Sequence, residues 1–268
     1  MRSSNPVMNS LTQTTAENPY QSQYGGYSDG YGQAGAPVAQ ERPMTVDDVV
    51  TKTGITLAVI IASAVVNFFI GAFVDQSLAM ILTFVGAIGG FITVLVATFG
   101  KKWGSAATTL IYAAFEGLFV GGFSLIVSAG AGSEAGAMIG QAVLATVGVF
   151  LGMLIVYKTG AVKVTPRFNK IMFGLIMGVA VMALGNFLLA IFTGSSPLRD
   201  GGMLAIVFSI VCIILAALSF MTDFDQADRL IRAGAPAKHA WGVALSLAVT
   251  LVWLYTEILR LLSYFQQR

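Results

Sequence analysis

The chain has 268 residues, of which 56% are hydrophobic and only 10% are charged, and its mean hydropathy is +0.79. Soluble domains carry about 25% charged residues, so this composition excludes a water-soluble globular enzyme. A formal net charge of +2 lacks the basic excess that a nucleic-acid partner requires. One cysteine and one histidine exclude an intramolecular disulfide framework and the usual zinc sites, so we expect no required cofactor.

Residues 1–43 differ in composition from the rest of the chain. Glycine and tyrosine alternate here with Gln, Ser and Pro, and such a segment cannot bury enough apolar area to offset its ordering entropy. We therefore predict a disordered polar tail over residues 1–43. A single transmembrane domain is predicted over residues 44–268, beginning at a capping-box-like segment, Thr45-Val46-Asp47-Asp48.

The remainder of the chain is a series of apolar runs, each near the roughly 20 residues that a helix needs to cross a bilayer. Most runs are apolar on all sides rather than along one stripe, which predicts membrane spans rather than surface helices. The sequence therefore predicts an all-α, multi-pass helical bundle with seven spans. They lie at about 54–74, 78–99, 106–128, 136–157, 170–193, 203–222 and 240–262.

The positions of the cations predict the orientation of the bundle, because Lys and Arg in short loops tend to remain cytoplasmic. With the N-terminus inside, twelve of the fifteen cations lie on the cytoplasmic side. The other three are Arg199, Arg260 and Arg268. We expect an N-in, C-out protein of the plasma (inner) membrane.

Glycines recur four residues apart within several spans. In lipid, such pairs let helix backbones approach closely, so we interpret them as packing positions rather than ligand contacts. The pairs are Gly86 with Gly90, Gly117 with Gly121, Gly148 with Gly152 and Gly174 with Gly178.

Two glutamates lie within the predicted spans. Glu116 is the one acidic side chain in the apolar runs between residues 55 and 222. An isolated acid near mid-span is costly, so it needs a partner, a proton or a wet cavity, and we assign it to a proton or ion pathway. The alternative is a protonated carboxyl that hydrogen-bonds to a neighbouring helix. Glu257 in the last span is a second pathway candidate, and its alternative is an interfacial pair with Arg260.

Three aspartates follow the sixth span, at Asp223, Asp225 and Asp228. Apolar character stops at Thr222, but the next strong helix stop is Gly234. A helix that continues to about Ile231 places Asp223 roughly two turns from its end, whereas the alternative is a solvated helix end. Ca²⁺ takes roughly six to eight oxygen ligands, so the three aspartates with loop carbonyls would form only a partial, weak calcium site.

At these residues the chain resembles the transmembrane Bax inhibitor motif family, that is, Bax inhibitor-1 and its bacterial relatives. The resemblance rests on Asp223-x-x-Gln226, a short basic loop, and the segments Ala244-Leu245-Ser246-Leu247 and Leu254-Tyr255-Thr256-Glu257 of the final helix. It covers about residues 44–265. It implies a bundle around a central last helix and a pH-sensitive leak of Ca²⁺ or other cations.

The resemblance also implies a proton site. In the family, two buried carboxylates on the sixth and seventh helices share a proton, and an arginine on the second helix engages them. The second span here contains no arginine, so the basic partner is either missing or replaced by Lys101 or Lys102 at its end.

The second carboxylate has two candidate positions. The family's leucine-tyrosine-x-acid motif puts it at Glu257, whereas matching residues 244–247 puts Thr250 there. Depth in the membrane favours Thr250, which cannot titrate. Asp223 with Asp225 would then carry the proton chemistry.

The resemblance thus implies a proton-modulated cation leak channel. Two carboxyls in a low dielectric cannot comfortably ionise together, and loss of their shared proton separates helices or attracts a cation. The alternative is a regulatory membrane protein that does not transport and instead binds a membrane protease or another membrane complex. An intramembrane enzyme is not indicated, because the sequence has no His-Glu-x-x-His motif and no second histidine.

Overall fold

A computed structural model describes residues 42–100 and 102–266, and within them the chain forms seven α-helices. The helices are α1 (Val46–Phe73), α2 (Gln76–Phe99), α3 (Ala106–Ser128), α4 (Ala135–Thr159), α5 (Pro166–Thr193), α6 (Met203–Arg232) and α7 (Ala240–Gln266). Each predicted apolar run falls on one of them. The predicted tail falls mainly on residues 1–41, which lie outside the described residues, as does Lys101.

Among the described residues, six helical segments are long and apolar enough to cross a membrane. The third, Ala106–Thr159, contains both α3 and α4. They are joined by a 3₁₀ turn, Ala129–Glu134, in which Gly132 has a φ of 51°. That left-handed backbone interrupts the helix, and an uninterrupted one would be about 80 Å long, far more than the roughly 30 Å of hydrocarbon.

Polar caps fix where the helices begin. Thr45 and Asp48 form the predicted capping box, so this expectation is confirmed. Asp48 also receives two hydrogen bonds from Arg42, at 2.6 and 2.8 Å. At the starts of α2, α3 and α5, a side-chain oxygen accepts from a backbone N–H three residues later, which satisfies one orphan donor of the first turn. These caps are Asp75, Ser105 and Thr165.

The last helix occupies the centre of the bundle. Helix α7 packs against α1, α3, α4 and α6. In its most apolar stretch 83% of the residues are buried, against 6% in α5, which packs mainly on α6. Small residues such as Ala244 and Ala248 are fully buried and let the neighbouring helices approach. The central last helix implied by the family resemblance is therefore observed.

The α6–α7 loop and the first turn of α7 are held by hydrogen bonds to two other parts of the chain. Met44 N–H donates to the Ala235 carbonyl at 2.7 Å, and Ala237 N–H donates to the Arg42 carbonyl at 3.0 Å. The Thr109 hydroxyl of α3 donates to the Trp241 carbonyl at 3.1 Å. Arg42 was assigned to the tail from composition, yet it contacts the α6–α7 loop.

Two of the four predicted glycine pairs are confirmed as close packing positions. A Cβ on Gly86 would lie 2.5 Å from the Phe115 carbonyl oxygen, and one on Gly117 would collide with the Ile60 carbonyl oxygen. Their partners Gly90 and Gly121 also meet neighbouring helices. Helices α2 and α1 therefore each rest directly on α3.

For the other two pairs the prediction is wrong. An added Cβ would meet no atom within 4 Å at any of these glycines, because the surfaces of α4 and α5 that carry them are exposed. They are Gly148, Gly152, Gly174 and Gly178.

The same substitution, glycine to alanine, should therefore have a large effect at Gly117 and a small effect at Gly148. Gly117→Ala should lower the free energy of unfolding by about 1–3 kcal/mol, because its methyl group displaces the α1 backbone at Ile60. Gly148→Ala is the matched control and should change it by less than about 0.5 kcal/mol. Equilibrium unfolding of the purified variants in mixed micelles measures both. Equal losses in the two variants would contradict this packing.

Candidate functional site

Asp223 is a buried carboxylate at the contact between α6 and α7. It lies about 13 Å from the Arg232 end of α6, which confirms the prediction that the helix continues well past Thr222. The Ser246 hydroxyl donates to one carboxylate oxygen and the Thr250 hydroxyl donates to the other, each at 2.7 Å. We call these three residues the Asp223 centre.

The two hydroxyls reach one carboxylate because they lie one turn apart on the same face of α7. Thr250 also has a second acceptor within reach, the Ser246 carbonyl at 3.2 Å. Thr250, rather than Glu257, therefore lies opposite Asp223. This is the position that depth in the membrane favours for the second carboxylate of the family.

Asp225 does not join this centre. Successive residues rotate by about 100° around a helix, so a side chain two positions later points to the opposite side. Asp225 pairs instead with Arg229 at 2.7 Å, one turn further along the surface of α6. The structure does not bring together the two aspartates that sequence reasoning placed together.

The weak calcium site predicted from three aspartates is not assembled either. Asp228 pairs with Arg232 at 2.8 Å and accepts from the Tyr157 hydroxyl at 3.3 Å. The described residues contain no group of three His, Cys, Asp or Glu side chains that could hold a metal ion. Helical spacing spreads the carboxylates around α6, and arginines neutralise two of them.

Glu257 lies in a second polar centre of the α6–α7 contact. Its carboxylate accepts from Arg260 at 2.9 Å, from Arg199 at 3.2 and 3.4 Å, and from the Ser209 hydroxyl at 3.2 Å. We call these four residues the Glu257 centre. Glu257 is only 3% exposed, so it is more deeply buried than a simple interfacial pair with Arg260 would be.

The two centres are separate along α7. Thr250 lies about 15 Å from the Ala240 end of the helix and Glu257 about 25 Å from it. Sequence reasoning did not find Arg199 or Ser209 as partners of Glu257. The sequence did contain one clue to these partners, because a buried carboxylate needs a cation. This clue could not identify Arg199, which lies 58 residues earlier in the chain and in another part of the fold.

Glu116 belongs to neither centre, because it lies at the contact of α3 with α2. Its carboxylate packs against Gly90, where an added Cβ would be 2.7 Å from the oxygen. Tyr112, one turn earlier on α3, hydrogen-bonds to it. Glu116 thus has a polar partner and a glycine that makes room for it.

The two lysines suggested as basic partners lie at the end of α2. Lys101 is outside the described residues, and Lys102 is exposed on the loop that follows the helix. The groups that hydrogen-bond to Asp223 are hydroxyls instead.

Comparison with known families agrees with this architecture. The sequence model of a family described as Bax inhibitor 1 like matches residues 5–267, nearly the whole chain. A comparison with curated proteins found no match. The family match spans the apolar helices and both polar centres. The chain therefore belongs to the Bax inhibitor 1-like family and is a multi-pass integral membrane protein.

Proposed function

We propose that the protein is a non-enzymatic, proton-sensitive leak channel for Ca²⁺ or other cations, in which Asp223 binds and releases the proton. The observation that carries the proposal is the Asp223 centre. A well-packed apolar side chain would hold α6 against α7 at least as well as a buried carboxylate. An ionisable residue inside a membrane bundle is therefore best explained by function.

The hydrogen bonds of this centre suggest how a proton would act. Ionised Asp223 is an acceptor only, and it accepts from Ser246 and Thr250 simultaneously. A protonated carboxyl donates its own hydrogen, so the hydroxyl that faces it becomes the acceptor and turns its own hydrogen to another acceptor. Thr250 has such an acceptor in the Ser246 carbonyl, so both bonds between α6 and α7 persist when Asp223 is protonated and neutral.

The charge of ionised Asp223 supports passage of cations rather than storage. One carboxylate and two hydroxyls supply far fewer oxygens than the roughly six to eight that Ca²⁺ prefers. A site of this kind attracts a cation but holds it weakly, as conduction requires. In this mechanism, loss of the proton as pH rises leaves an unneutralised carboxylate in the α6–α7 contact, which attracts cations and increases flux.

We further propose seven spans with the N-terminus inside and the C-terminus outside, in the plasma (inner) membrane. The left-handed Gly132 between α3 and α4 supports two spans there. The cation asymmetry supports the orientation. The Asp223 centre then lies nearer the cytoplasmic face, and the Glu257 centre lies nearer the outer face.

A second candidate is a regulatory protein that does not transport and binds another membrane protein. Helix α5 favours it, because its apolar surface is largely exposed and it packs mainly on α6. Such a surface suits a partner helix. Ion flux in liposomes that contain only this protein separates the two candidates.

The proposed topology predicts which loops face outward. On a Cys212→Ser background, Ser195→Cys and Gln266→Cys should react with an impermeant thiol reagent added to intact cells. Ala161→Cys should react only after permeabilisation. All three positions are exposed, so access decides the result. Labelling of Ala161→Cys in intact cells would contradict the proposed topology.

The proposed proton site predicts a pH response that one substitution removes. Flux through the wild type should rise from about pH 6 to about pH 8, and Asp223→Asn should make it nearly independent of pH. Asp225→Asn is the matched control and should retain the response, because Asp225 is paired with Arg229 at the surface. Liposome flux assays measure all three proteins.

Glu257→Gln should change the level of flux but leave its pH midpoint in place, because Glu257 lies about 10 Å from Thr250 along α7. If Glu257→Gln removes the pH response while both aspartate variants keep it, the proton site is Glu257 and the proposal is wrong.

A further inference from the structure

The segment that connects α5 to α6 folds into one end of the α6–α7 contact. Within it, Leu198 N–H donates to the Asn186 side chain of α5 at 3.0 Å. The next residue, Arg199, reaches both carboxylate oxygens of Glu257. Its guanidinium also lies over the Phe208 ring of α6, 5.4 Å from the centroid. These contacts hold a loop residue between two helices.

Arg199 forms the outer layer of the Glu257 centre. Its side chain is 28% exposed, whereas Glu257 behind it is 3% exposed. Arg199 is therefore the most exposed of the four side chains of the Glu257 centre, ahead of Arg260 at 17%. Cys212, one turn beyond Ser209 on α6, is fully buried.

We propose that Arg199 is the gate residue at this end of the α6–α7 contact, and that its charge sets selectivity between monovalent and divalent cations. The inference deepens the proposed leak function and rests on it for the ion path. Closure of the contact by Arg199, however, can be measured without ion flux.

The charges of the Glu257 centre give the gate its selectivity. Arg199, Arg260 and Glu257 together carry a formal charge of +1, which repels cations. The neighbouring Asp200 accepts from Gly202 N–H at 2.9 Å within its own loop and is exposed to solvent. Because electrostatic energy scales with ionic charge, this barrier opposes Ca²⁺ twice as strongly as K⁺.

Arg199 can be removed without leaving Glu257 unpaired. Arg260 is the nearer cation, at 2.9 Å, and it belongs to the same helix as Glu257. Its guanidinium is also held over the Phe123 ring of α3, at 5.1 Å. The Arg199→Gln centre is formally neutral, and Ser209 and Arg260 still satisfy its carboxylate. We therefore expect this variant to fold.

The buried native cysteine reports on the gate. The purified full-length protein is treated with an anionic, impermeant methanethiosulfonate, and labelling of Cys212 is followed by mass. Arg199→Gln should accelerate labelling about tenfold or more, because labelling follows the population of the open form. The reagent is an anion, so loss of a positive charge would by itself slow its approach.

Two Arg199 variants separate charge from chain length. Arg199→Lys should label more slowly than Arg199→Gln, because an ammonium still pairs with Glu257. Arg232→Gln makes the same chemical change at the other end of α6, where the side chain is exposed, and should label as the wild type does. Labelling of Arg199→Gln at the wild-type rate, or equal labelling of the Lys and Gln variants, would overturn the gate.

General loosening of the bundle is tested at a distant position. Ala113 is fully buried among α3, α1 and α7. In a protein that carries Cys212→Ser and Ala113→Cys, the thiol at position 113 should remain unlabelled when Arg199→Gln is added. Labelling there would mean that the variant opens the whole bundle, which contradicts a local gate.

Flux tests the selectivity and separates the gate from the leak function. If Arg199→Gln raises K⁺ flux about threefold, Ca²⁺ flux should rise about ninefold. Equal increases for the two ions would overturn the selectivity role. Faster Cys212 labelling with no flux in any variant would uphold closure by Arg199 and refute both the leak function and the selectivity. Ion flux, together with Cys212 labelling that Arg199→Gln leaves unchanged, would uphold the leak function and refute the gate.

Discussion

The requirement that polar groups inside an apolar bundle find partners within it organises this protein around α7. The Asp223 centre joins α7 to α6, and the Glu257 centre joins it to α6 and to the Arg199 loop. On the α3 side, Tyr255 and Ser124 share a hydrogen bond of 2.7 Å. Lipid satisfies none of these groups, so their partners must be other helices. The last helix is central because it carries most of these groups.

The two centres contain different sets of charged groups, and we assign them different roles. The Asp223 centre contains one ionisable group and two hydroxyls, so its hydrogen bonds depend on a single proton. The Glu257 centre contains three charged groups that neutralise one another in part, and one of them belongs to a loop. We therefore propose that the first centre senses protons and the second closes the contact. Both act on the same pair of helices.

Local sequence patterns predicted the helices better than their contacts. Hydropathy placed the seven α-helices of the described residues, and polar caps placed the start of α1, because both depend on neighbours in sequence. The small-residue pattern succeeded at Gly117 and failed at Gly148, although the spacing is identical. Spacing identifies a face on which a helix could approach, but only the tertiary arrangement decides whether a helix or lipid lies there. For the same reason, depth along α7 placed Thr250 near Asp223, whereas nothing local linked Glu257 to Arg199.

The central claim is that the carboxyl of Asp223 takes up and releases the proton. Infrared difference spectra of the purified protein, recorded between about pH 6 and about pH 8, follow the carbonyl stretch of protonated carboxylic acids directly. The account predicts a carboxyl band that disappears as pH rises, that is absent from Asp223→Asn and that is retained in Asp225→Asn. A band that persists unchanged in Asp223→Asn would show that another group holds the proton and would contradict the account.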